Sequence, residues 1–80
     1  MERTKVESNI LLSIGYEPDS ELLELEFLSG AIYDYLNVQP YAYLALMESN
    51  SKDIYYEKFI HDKYDVEKIK GKNREVLHLA

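Results

Sequence analysis

Apolar and polar residues change their period along this chain, and the changes divide it into elements. Ile10, Leu12 and Ile14 fall at alternate positions between Asn9 and Tyr16, the period of a strand with one buried face. Glu17-Pro18-Asp19-Ser20 then reads as a turn, because proline presets φ and Asp and Ser accept turn geometry. Leu23, Leu25 and Phe27 alternate with Glu24 and Glu26, the clearest strand pattern in the sequence. Leucine and glutamate also favour helices. Strict alternation between two turn signals nevertheless assigns residues 21–28 to a strand.

The next hairpin turns at Leu28-Ser29-Gly30, and its length sets which residues face inward. A two-residue loop would place Tyr33 and Tyr35 beside Glu24 and Glu26, with Asp34 inside. A three-residue loop with Gly30 in the left-handed region pairs Phe27 with Ala31 and puts both tyrosines on the face of Leu23 and Leu25. A buried unpaired carboxylate is costly, whereas tyrosine buries its ring and keeps its hydroxyl wet. The three-residue register is therefore the predicted one, with Asp34 turned to solvent.

After Val38 the period becomes helical. Pro40 suits a first helical turn, and Tyr43, Leu46 and Met47 share one face. Glu48-Ser49-Asn50-Ser51 breaks this helix. Ser51 is a candidate cap for a second, with Asp53 in its first turn and Tyr56, Phe59, Ile60 and Tyr64 as its apolar stripe. The resulting expectation is an α+β domain, a three-stranded antiparallel β-meander with two helices packed on one face. Residues 1–8 are expected to be flexible, 9–69 to form the domain, and 70–80 to be a basic linker with a short apolar tail.

Composition narrows the function classes. There is no cysteine, so neither disulfides nor thiolate chemistry is available, and a cytoplasmic setting is favoured. No apolar run is long enough to span a bilayer. The net charge is −6, and residues 1–50 hold two basic against nine acidic side chains. Such a balance disfavours non-specific contact with phosphate backbones.

Several stretches taken in order resemble the KTSC domain, a small module named for the C-terminal region of some lysyl-tRNA synthetases and also found free-standing in bacteria and phages. They are Glu7-Ser8-Asn9-Ile10, Ile14-Gly15-Tyr16, Leu23-Glu24-Leu25-Glu26-Phe27, Ser29-Gly30, Tyr33-Asp34-Tyr35, Val38, Tyr43, Leu46, Ser51-Lys52, Tyr55-Tyr56, Ile60 and Tyr64. The chain departs from the family pattern at Asp53, Glu57 and His61, where Gly, Asn and a basic residue are usual. Through the family's attachment to synthetases, the resemblance suggests RNA binding.

Candidate chemistry is sparse. The serines Ser8, Ser13, Ser20, Ser29, Ser49 and Ser51 lack the glycine-flanked elbow of a nucleophile, and Gly15 and Gly30 form no phosphate loop. His61-Asp62 is one adjacent pair, and His78 stands alone, so no metal-ligand spacing occurs. The sequence therefore predicts no enzyme, no metal and no cofactor. It predicts a binding module, with a protein partner or a second copy engaging Tyr41, Tyr55 and Tyr64, residue types favoured at interfaces. An RNA-binding reading would use Tyr33 and Tyr35 as a stacking platform and Lys70, Lys72 and Arg74 as phosphate contacts. A third reading is a small-ligand pocket between sheet and helices.

Overall fold

The computed structural model describes residues 2–70. Five strands form one antiparallel sheet in chain order: β1 (Arg3–Lys5), β2 (Leu11–Glu17), β3 (Leu22–Phe27), β4 (Ile32–Tyr35) and β5 (Val66–Lys70). Helix α1 (Pro40–Glu48) and the short α2 (Lys52–Tyr55) lie between β4 and β5. A π-helical turn over Tyr56–Ile60 continues α2, closed by His61 N–H donating to the Tyr56 carbonyl at 2.8 Å.

The expected meander is thus the centre of a wider sheet. Arg3–Lys5, expected to be loose, pairs with Ser13–Gly15 of β2. The segment Val66–Lys70, for which no strand is expected, pairs with β4. Both strands are exposed along their whole length. They carry few of the alternating buried positions by which a strand announces itself.

The β3–β4 hairpin has the predicted three-residue form. Phe27 N–H donates to the Ala31 carbonyl and Gly30 N–H to the Phe27 carbonyl, both at 2.9 Å, and Gly30 has φ 99°. Leu23 then faces Tyr35 and Leu25 faces Tyr33, so both tyrosines share the leucine face. In β2 the pattern is shifted by a bulge: Leu11 pairs with Phe27 but Ser13 with Glu26, leaving Leu12 extra. Leu11 and Ile14 therefore both point inward, and the expected Ile10-Leu12-Ile14 alternation does not hold.

The helices cover the leucine face. Leu11, Ile14, Leu23, Leu25, Tyr35 and Val38 meet Ala42, Leu46, Tyr56 and Ile60 in one core. Tyr16 ties α1 to the sheet. Its ring stacks on Tyr43 with centroids 4.6 Å apart and planes 7° off parallel, and its hydroxyl donates to the Val38 carbonyl. Phe59, expected in the buried stripe, is 53% exposed. A π turn carries more residues per turn than an α-helix, which moves Phe59 out while Tyr56 and Ile60 stay in. Ser51 occupies the cap position of α2 without a side-chain cap bond. Instead, Ser8 Oγ accepts from the N–H groups of Ile10 and Leu11 and donates to Asp53 Oδ1 at 3.2 Å, fastening the N-terminal loop to α2.

Candidate functional site

Two faces of the sheet offer different chemistry. The outer face carries a cross-strand row, Arg3, Gly15, Glu24, Asp34 and Glu67, set by the pairing of all five strands. Gly15 has no side chain, which lets the Arg3 guanidinium reach across it to Glu24, with Glu26 Oε1 at 3.7 Å from Nε. Ser13 Oγ also donates to Glu26 Oε1 at 2.7 Å. Asp34, expected to be solvated, is instead half-buried, and its Oδ1 is buried without a partner. Burial, with the Glu24 carboxylate bonded beside it and Glu67 nearby, pushes its pKa up to about 6, against the opposing pull of Arg3. Among the described residues no three His, Cys, Asp or Glu side chains come together as metal ligands would.

The leucine face ends in a pocket of about 260 Å³ at the β4–β5 side. Tyr33 and Tyr35 of β4 and Val66 of β5 form one wall. Tyr56, His61, Asp62 and Tyr64, from the π turn and the loop after it, form the other. The rings stand nearly at right angles: Tyr33 to Tyr35 at 78° and Tyr35 to Tyr56 at 81°, with centroids 6.5 and 6.2 Å apart. Phe27 backs Tyr33 and Tyr56 edge-on from the core side. The Tyr35 and Tyr56 hydroxyls are 2.8 Å apart and share one hydrogen bond in a buried setting. Burial raises the pKa of both phenols, and the Asp62 charge adds to the effect in each.

The loop around Asp62 is shaped by its backbone. Asp62 has φ 65°, a left-handed value that Asp accepts more readily than most residues. His61 stacks on Tyr56 at 28°, and its two ring nitrogens lie 3.5 Å from Glu57 Oε1 and 3.6 Å from Asp62 Oδ1.

Of the predicted site residues, the structure brings Tyr33, Tyr35 and Tyr64 to this pocket. Tyr41 lies outside it, 69% exposed, and Tyr55 is half-buried against Phe59 with ring centroids 4.7 Å apart. Tyr41 and Tyr55 both lie near enough to Tyr64 to add to the rise in its pKa, which burial dominates. Lys70 ends β5, opposite Ile32, while Lys72, Arg74 and His78 fall outside the described residues. Asp62, Tyr56 and Val66 were not singled out as site residues from the sequence. Their convergence depends on the π turn and on β5, neither of which leaves a period to read.

The profile of the KTSC domain matches residues 7–64. The chain belongs to the KTSC domain family. This KTSC domain is 36% identical to a KTSC domain protein from Yersinia pestis, whose crystal structure matches it with a TM-score of 0.84 over 86% of this chain and 97% of that one. An uncharacterised protein of Stutzerimonas stutzeri (strain A1501) is 45% identical over 51 residues, 64% of this chain and 72% of the relative. A lysine–tRNA ligase of Nostoc punctiforme is 32% identical over 65 residues, which are 81% of this chain but 12% of the ligase. The KTSC match names no reaction, and the ligase activity belongs to a far longer protein. Among the described residues no helix is long and apolar enough to cross a membrane.

Proposed function

We propose that this KTSC domain is a non-enzymatic binding module that holds a protein partner against its helical end. The observation that supports this is the exposed apolar surface there: Tyr41 at 69%, Ile54 at 56%, Phe59 at 53% and Leu44 at 52%. Tyr55 packs against Phe59, and Tyr64 lines the pocket. Large apolar side chains gathered on a small domain mark an interaction surface when they adjoin one another. A net charge of −6 matches a partner with a basic surface.

The test compares the wild-type domain with a Tyr41→Ser, Phe59→Ser double variant as immobilised bait in a bacterial lysate. Thermal unfolding first establishes that both are folded. A basic protein retained by the wild type, released by added salt and lost from the variant supports the proposal. An identical set of retained proteins for both baits overturns it. Light scattering of the free domain separates a rival occupant of this face, a second copy of the chain.

The lysine–tRNA ligase relatives, by their name, act on tRNA, and an RNA reading carries over from them. It receives less support from the geometry. Tyr35 is 3% exposed and hydrogen-bonded through its hydroxyl, so a base has no open ring face there on which to stack. Binding of single-stranded RNA at low salt, lost when Lys70, Lys72 and Arg74 are changed to Ala, would restore that reading.

A further inference from the structure

The pocket beside the proposed binding face has a chemistry of its own. Among the described residues its walls are four tyrosines, a histidine ring and a valine, its one carboxylate is Asp62, and neither Lys nor Arg lines it. Lys68, across from Tyr33 on β5, is exposed and is not part of the wall. Aromatic faces carry negative potential above the ring plane, and phenol oxygens add acceptor lone pairs. Tyr33 and Tyr64 line the pocket and are only half-buried, and the exposed Asp62 carboxylate stands beside them, which together make a site for positive charge.

Size narrows the ligand further. Pockets that engulf a drug-sized molecule usually measure about 300–1,000 Å³. At about 260 Å³ this one takes a single functional group and not a whole cofactor. An anion is the wrong guest, because the Asp62 carboxylate lines the pocket and no Lys or Arg among the described residues lines it to offset that charge. A purely apolar group would leave the spare donor and acceptor capacity of the Tyr35–Tyr56 hydroxyl pair without use.

We propose that the pocket formed by Tyr33, Tyr35, Tyr56, Tyr64, His61 and Asp62 receives an alkylammonium group. The source is either a lysine side chain, bare or methylated, or a free small amine. The lysine source rests on the reading of the helical end as a protein-binding face; the pocket chemistry does not.

The experiment follows the aromatic NMR signals of the full chain at pH 8, above the ordinary imidazole range. The probes are choline, its uncharged carbon isostere 3,3-dimethylbutan-1-ol, and short glycine-serine peptides with one central lysine or trimethyllysine. Choline is expected to shift the Tyr33, Tyr35 and Tyr56 resonances saturably, with the isostere binding about tenfold or more weakly. Asp62→Asn keeps a residue type that accepts the left-handed backbone and removes the charge, and it should weaken choline about three- to fivefold. A peptide that binds about tenfold more tightly than choline assigns the site to lysine side chains. Equal or weaker peptide binding assigns it to small amines. The proposal is overturned if the isostere binds as well as choline, if Asp62→Asn leaves affinity unchanged, or if no cation shifts these signals. Those results leave intact a partner that depends on Tyr41 and Phe59, so the two readings fail separately.

Discussion

The β3–β4 ladder has two faces built from the same ten residues of chain, and they solve opposite problems. On the inner face Leu23, Leu25, Tyr33 and Tyr35 lie under the helices. Their only polar atoms are hydroxyls, and the deepest of these, on Tyr35, is paired with Tyr56. On the outer face Glu24, Asp34 and Glu67 stand in one row with Arg3 at its end. Like charges directly opposite one another weaken a strand pair. The inner face thus holds the sheet together, and the outer face strains it. The contrast shows why a small aromatic domain favours tyrosine over phenylalanine: the ring supplies burial, and the hydroxyl finds a neighbour.

The largest effect available is on the inner face. Leu25 is fully buried between Ile14 and Tyr33 across the sheet. Leu25→Ala should cost about 2–5 kcal/mol through lost burial and the cavity left behind. A domain of this size has only about 4–12 kcal/mol of stability to lose. Urea unfolding should show a midpoint far below that of the wild type. A loss below about 1 kcal/mol would mean that the inner face is not the support described.

Next in size is the hydroxyl pair. Tyr35→Phe removes one partner and leaves the buried Tyr56 hydroxyl without its bond, at a cost of about 1–3 kcal/mol. Tyr56→Phe added to it removes the orphan, so the double variant should be more stable than the two single losses summed. A double-mutant cycle in urea reads the difference directly. Strict additivity would show that the two hydroxyls do not interact.

This inner face was largely legible in the sequence, and the outer one was not. The alternation from Leu23 to Phe27 and the cost of burying Asp34 sufficed to choose the three-residue hairpin, and with it the side on which Tyr33 and Tyr35 lie. What escaped was whatever has no period. β1 and β5 are exposed throughout, so their residues carry polar and basic signals that read as tails. The bulge at Leu12 shifts the inward set, and a single extra residue leaves no mark on composition. The π turn at Tyr56–Ile60 displaced Phe59 in the same manner. The KTSC departures are intelligible only in three dimensions: Asp53 answers Ser8, and Glu57 answers His61. Tyr56 and Val66 of the pocket lie on those unread pieces, which is why its tyrosines could be named but not assembled.

A smaller effect, of opposite sign, belongs to the outer face. Burial, the Glu24 carboxylate bonded to it and Glu67 beyond raise Asp34 from 3.8 to about 6, and Arg3 offsets only part of this. The folded chain therefore binds more protons at Asp34 than the unfolded chain between about pH 4 and 6. Stability from this group falls as pH rises through that window, and the full penalty stands above it. Asp34→Asn should add about 1 kcal/mol at pH 8, after allowing for screening by solvent, and nothing at pH 4. Thermal melts at the two pH values measure it. Equal gains at both would assign the effect to shape and not to charge.

The smallest expected effect separates the surface that binds from the faces that fold. Tyr41 is 69% exposed on α1, next to a proline that fixes the helix start, and none of its atoms completes the core. Tyr41→Ser should change stability by no more than about 0.5 kcal/mol in urea. Tyr43, two residues on, stacks on Tyr16 across the boundary between helix and sheet. An aromatic pair adds about 0.5–1.5 kcal/mol beyond its burial, so Tyr43→Ser should cost several times more. The two tyrosines have the same chemistry and nearly the same place in the sequence. If both substitutions cost the same, Tyr41 belongs to the fold, and the exposed aromatic face loses its outermost member as a contact for a partner. If Tyr41 alone is dispensable, its large apolar surface contributes nothing to the isolated domain, and a partner becomes the physical reason for keeping it there.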